Sequence, residues 1–96
     1  WYKWNFRLSE SGYYAIYAKY SCNSYGDPEA KYTLKKSTSS KIEHTSYMAM
    51  DSCGYQNWNL LFIVMLSSSQ NYTIQVTGQT YNKYTRADGL MFIRLW

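Results

Sequence analysis

No window of this chain repeats its apolar residues every three to four positions; short runs rich in Tyr, Val, Ile and Thr recur between turn residues instead. That spacing predicts an all-β sandwich. Seven runs qualify: 2–8, 13–21, 30–36, 41–50, 58–66, 72–78 and 90–96. The connectors between them, among them "SESG", "SYGDPE", "STSS", "DSCGYQ" and "SSSQN", carry the Gly, Asp, Asn, Ser and Pro residues that turns need.

Two of the runs alternate cleanly. Tyr2, Trp4, Phe6 and Leu8 oppose Lys3, Asn5 and Arg7, and Ile74 and Val76 oppose Thr73, Gln75 and Thr77, as in a strand with one wet side. Three do not: "GYYAIYAKYSC" from Gly12, "LLFIVML" over 60–66 and "LMFIRLW" over 90–96 are apolar, or nearly so, on both faces. A sheet in a two-layer sandwich has an inner and an outer face, so such strands imply that an outer face is also covered. Tyrosine tolerates water and explains part of this, but not 60–66. A second copy of the chain is the economical cover.

A chain of 96 residues makes one small domain, which buries only about 60 to 65% of its unfolded surface. Hydrophobic residues at 46% and aromatics at 20% exclude a disordered segment. The net charge of +4 is spread along the chain, with only Lys35 and Lys36 adjacent, and no aromatic RNA-binding signature is present. A basic surface suited to an acidic partner, and no nucleic acid, is the expectation. The two cysteines, Cys22 and Cys53, are either free thiols or a disulfide, which would constrain the unfolded chain by about 3.5 kcal/mol. Asn71-Tyr72-Thr73 is an N-glycosylation acceptor triplet and points to the secretory route. The longest apolar run is too short to cross a bilayer, so any targeting segment or membrane anchor is expected upstream.

Catalytic chemistry finds little support. His44 and Glu43 are neighbours in a strand and point to opposite faces. The acidic residues Glu10, Asp27, Glu29, Asp51 and Asp88 lie singly, with no calcium-loop spacing, and no zinc spacing, nucleophile elbow or phosphate loop occurs. The expectation is a protein that binds protein, with no enzyme activity, metal or cofactor.

"SGYYAIYAKYSC" resembles the central strand of the tumour necrosis factor superfamily ligands in its Gly12, Tyr14, Ile16, Tyr17 and Ala18. Cys22 after that strand, Cys53 before the apolar strand in "CGYQNWNLLFIVML", and the closing "LMFIRLW" follow the family's order, and Trp4 precedes the Gly-x-Tyr strand as in the divergent ligands of the glucocorticoid-induced receptor type. The resemblance spans 1–96 and implies the C-terminal portion of a jelly-roll domain, its first strands lying upstream or absent. It further implies a Cys22–Cys53 disulfide and a homotrimer, extracellular, anchored as a type II membrane protein or shed. That trimer clusters a receptor of the tumour necrosis factor receptor superfamily in immune regulation.

Carried over by position, the resemblance places Ala15, Tyr17, Lys19, Asn59, Leu60, Leu61 and Phe62 at the trimer interface, although the family often has Gly-Gly where Leu61-Phe62 stand. The receptor-facing loop falls on Thr38, Ser39 and Ser40, where the family's exposed hydrophobe is replaced by Thr38. Independently of the resemblance, the acceptor triplet makes Asn71 the expected glycosylation site. Two other readings stand beside this one: the related complement-type globular head, which a collagenous segment upstream would mark, and a carbohydrate-binding sandwich using Trp1, Trp4 or Trp58.

Overall fold

A computed structural model describes residues 2–20, 25–51, 58–79 and 89–96. Seven strands form in the expected order: β1 Tyr2–Phe6, β2 Gly12–Lys19, β3 Ala30–Lys36, β4 His44–Met48, β5 Trp58–Leu66, β6 Tyr72–Thr77 and β7 Gly89–Arg94. The largest boundary difference is at β4, which runs over 44–48 rather than 41–50, because 41–43 belong to the preceding loop. All strand pairs are antiparallel, in a four-stranded sheet of order β1-β6-β3-β4 and a three-stranded sheet of order β5-β2-β7. The protein is an all-β, jelly-roll-like sandwich in which each sheet mixes strands distant in sequence. No helix among the described residues is long and apolar enough to cross a membrane.

The alternation of the sequence becomes the two faces of each sheet. Tyr14, Ile16 and Ala18 from β2, Phe62, Val64 and Leu66 from β5, Tyr32 and Leu34 from β3, and Tyr72, Ile74 and Val76 from β6 meet in one buried core. Each large aliphatic side chain withdrawn from water there contributes about 1.5–3 kcal/mol. Trp4 and Phe6 of β1 close one flank: Trp4 stacks near Tyr32 with ring centres 6.5 Å apart, and Phe6 meets Phe92 of β7 at 4.6 Å. Tyr14 and Tyr72 serve the core because their rings bury while their hydroxyls reach polar groups at its rim. Tyr14 Oη donates to the Glu10 carbonyl at 2.6 Å, and Tyr72 Oη accepts from the Ser67 amide at 2.8 Å.

Tyr20 is buried at the end of this cluster, and its burial pushes the phenol pKa above the usual 10. A group raised in the folded state stays protonated there while the unfolded chain ionises, so stability is full below pH ~10 and falls as pH rises through the folded value. Urea midpoints measured from pH 8 to 11 should therefore fall above pH ~10, and less steeply in Tyr20→Phe than in the parent. Parallel slopes in the two proteins would refute this assignment.

The strand directions put the connections 7–11, 37–43 and 67–71, with the C-terminal Leu95 and Trp96, at one end of the sandwich. The connections after β2, β4 and β6 lie at the other. That second end is tied together by Asp27, which is fully buried. Its Oδ1 accepts from the Glu29 amide at 2.8 Å, its Oδ2 from the Gln79 amide at 2.6 Å, and its carbonyl from the Met50 amide at 2.8 Å. Backbone amides directed at a carboxylate are among the stronger neutral-donor hydrogen bonds; the Asp27 side chain joins its own connection to the one after β6, and its backbone carbonyl ties in the one after β4.

Candidate interaction surfaces

The outer faces of the two sheets differ in character. On the four-stranded sheet the strand registers line up Lys3, Gln75, Thr33 and Thr45 in one row, and Asn5, Thr73 and Lys35 in the next. Thr73 Oγ1 donates to Asn5 Oδ1 at 2.7 Å and pairs with Ser37 Oγ at 2.9 Å. This face is polar and wet.

The outer face of β5-β2-β7 is apolar. Ala15 lies between Ile63 and Ile93, Tyr17 between Leu60 and Met91, and Lys19 between Trp58 and Gly89. Tyr13 lies opposite Met65 and its ring meets that of Trp96 at 5.1 Å. Ile63 and Met65 are each 58% exposed and Trp96 68%, so these are open side chains rather than half-shielded rims. Ala15 is buried in spite of pointing outward, since its single methyl lies below its larger neighbours and forms the floor of a shallow saddle. Lys19 Nζ lies 5.8 Å from the Trp58 ring at the margin of the face, close enough for cation–π attraction.

A register shift between Ile16 and Tyr17 determines which residues of β5 reach this face. Ile16 pairs with Phe62 and Tyr17 with Leu60, so Leu61 is the extra residue of a β-bulge. Alternation is reset there. Val64 and Phe62 point inward on one side of the bulge, Leu60 and Trp58 point outward on the other, and Leu61 also enters the core. Of the residues expected at a trimer contact, Ala15, Tyr17, Lys19 and Leu60 lie on the outer face. Leu61 and Phe62 do not: both are buried within the sandwich, and the exposed positions flanking them are Leu60 and Ile63. Asn59 pairs with Ala18 and is half-buried on the inner side.

Thr38, Ser39 and Ser40 lie in the β3–β4 loop at the end of the sandwich where residues 7–11 and 67–71 also gather. Asn71 is exposed beside that loop, its carbonyl accepting from the Ser37 amide at 2.9 Å, while Thr73 of the same acceptor triplet is buried. Sequence reasoning placed no exposed hydrophobe in the loop. Ile42 is one, 48% exposed and three residues from the centre at Ser39, and the signal was obscured because 41–50 read as one continuous strand.

His44 opens edge strand β4, exposed, with its ring 6.1 Å from that of Phe62. Among the described residues no group of three His, Cys, Asp or Glu side chains is arranged to hold a metal ion. Of the tryptophans considered for sugar stacking, Trp4 packs on the core, Trp58 is exposed on the apolar face, and Trp1 lies outside the described residues. Cys22 and Cys53 also lie outside them. Comparison with protein-family models, with curated proteins and with solved structures yields no match to this chain.

Proposed function

We propose that this chain is a protein ligand of the tumour necrosis factor superfamily type. Three copies assemble through the outer face of β5-β2-β7, and the trimer clusters a cell-surface receptor of the corresponding receptor superfamily, in immune regulation. It acts without catalysis or cofactor, outside the cell, tethered by an upstream anchor or shed from it. A Cys22–Cys53 disulfide and a glycan on Asn71 belong to the same reading.

The single observation that carries the proposal is the contiguous, exposed apolar face built from Tyr13, Tyr17, Leu60, Ile63, Met65, Met91 and Ile93. Soluble domains rarely leave such a face open to water, and in a closed threefold ring each copy's face is covered by its neighbours. The outer face of the opposite sheet presents Lys, Thr and Gln, with Tyr47 as its one large exposed aromatic among the described residues, so the demand for burial falls mainly on one side. The resemblance of Gly12 to Ala18 to the family's central strand agrees with this, because β2 is the central strand of the apolar sheet.

Equilibrium sedimentation at micromolar concentration tests the reading. The expected mass is three times that of the chain. A monomer would overturn it, and quenching of exposed indole fluorescence by a soluble glycan in that monomer would favour a carbohydrate-binding sandwich, with the exposed Trp58 as the stacking residue.

A further inference from the structure

The described charges are distributed unequally between the two ends of the sandwich. At the end tied by Asp27, the acidic Asp27, Glu29 and Asp51 are balanced by Lys3, Lys19 and Lys31 on the adjoining strand ends; Arg7, Lys35, Lys36, Lys41 and Arg94 lie at or beside the other, against only Glu10 and Glu43. Arg94 Nη1 pairs with Glu10 Oε2 at 3.3 Å and so cancels one charge of each sign. The remaining excess is positive, and Lys35 and Lys36 at the end of β3 with Lys41 in the β3–β4 loop, residues 37–43, supply most of it.

That loop is ordered by its own hydrogen bonds. The Ser39 amide donates to the Lys36 carbonyl at 3.0 Å, the Lys41 amide to Ser39 Oγ at 3.0 Å, and Lys35 Nζ to the Ser39 carbonyl at 2.9 Å. Its two ends are held by Ser37 N to the Asn71 carbonyl and Glu43 N to the Leu34 carbonyl, both 2.9 Å. A loop fixed in this way loses little conformational freedom on binding. It presents Ile42, 48% exposed and next to the exposed Lys41, and an isoleucine left open to water beside a cation is suited to contact rather than to packing.

We propose that residues 36–42 form a preformed docking ridge for an acidic protein surface with a small apolar depression. Ile42 enters the depression, and Lys36 and Lys41 meet carboxylates around it; the exposed Glu43 marks the end of the basic segment. This rests on reading the chain as a protein ligand and extends that reading by naming the chemistry of the partner. A rim of opposite charge accelerates encounter and selects the partner, while the buried apolar contact slows release.

The probe is a short fluorescein-labelled peptide of Glu and Asp with a central Leu-Leu pair, followed by anisotropy against the full chain, beside its Ser-Ser form, heparin, and phosphatidylserine vesicles. Saturable binding of the Leu-Leu peptide is expected. Lys36→Glu combined with Lys41→Glu should weaken it by about tenfold or more, and Ile42→Ser should remove its advantage over the Ser-Ser peptide. The same reversal at Lys3 and Lys31, on the polar sheet face, should have little effect. Equal loss from that control pair, no loss from the loop pair, or loop-dependent binding of heparin or vesicles in place of the peptide would overturn the proposal. Sedimentation of the same samples separates the two readings: a monomer that binds the peptide through the loop leaves this one standing, and a trimer that does not bind leaves only the assembly.

Discussion

Tyr17→Asp is expected to convert the proposed trimer to monomers while leaving the sandwich folded. Tyr17 is half-buried on the outer face of the central strand β2, flanked by Leu60 and Met91, and takes no part in the core cluster. In the isolated chain a carboxylate there keeps water on its outer side, so the fold is perturbed little. In an assembly that covers the face, the same carboxylate is desolvated among apolar side chains, at a cost of about 2 kcal/mol or more for each copy. The nearest cation on the face is Lys19, two residues along the strand and already set over the Trp58 ring, so it offers only partial compensation. Sedimentation should show the shift to monomer, with an unchanged far-ultraviolet spectrum and urea midpoint measured below the association range. Ile63→Asp, more exposed and at the next row, should do the same, whereas Thr33→Asp on the polar sheet should not. Trimers persisting in both Tyr17→Asp and Ile63→Asp would show that another surface mediates assembly.

Gly12→Ala lowers the unfolding free energy by about 2–4 kcal/mol, a large part of what a domain of this size possesses. A Cβ at Gly12 would lie 2.5 Å from the Trp96 carbonyl oxygen and 2.8 Å from Arg94 Nε, and the residue's φ of 159° is one that side chains rarely adopt. Both neighbours are part of the clasp that fastens the C-terminal segment to the start of β2. The Tyr13 amide donates to the Trp96 carbonyl at 2.9 Å and the Leu95 amide to the Tyr13 carbonyl at 2.7 Å. Arg94 Nε and Nη2 donate to the Ser11 carbonyl at 3.2 and 2.9 Å. The backbone carbonyl cannot move aside without breaking these bonds, so the added methyl loosens the end of β7 along with the Tyr13–Trp96 ring contact. Gly89→Ala is the matched comparison, because a Cβ there meets only Trp58 Cη2 at 3.8 Å, an ordinary contact. Its midpoint should stay within about 0.5 kcal/mol of the parent. Equal effects at the two positions would mean that loss of glycine flexibility, rather than the clasp, sets the response.

Strand content and number, and the all-β sandwich, are legible in the sequence, because the pattern that marks a strand is a local property carried by each run of five to nine residues. So is the existence of an uncovered apolar face, since "YYAIYA", "LLFIVML" and "LMFIRLW" leave no polar side to give to water. Those same runs hid their register. A strand apolar on both faces looks unchanged when slipped by one residue, so nothing local marked the bulge at Leu61 or separated Met91 and Ile93 from Leu90 and Phe92. Asp27 read as a turn residue, and only its contacts with Glu29, Gln79 and Met50 show it as the tie between three connections.

The amino-acid pattern by itself therefore determined that this chain is a β-sandwich with one surface in need of cover. Tertiary pairing decided which side chains form that surface. It placed Leu60 and Ile63 outside and Leu61 and Phe62 inside, and it brought Ile42 and three lysines to one loop end, because register depends on partner strands far away in sequence.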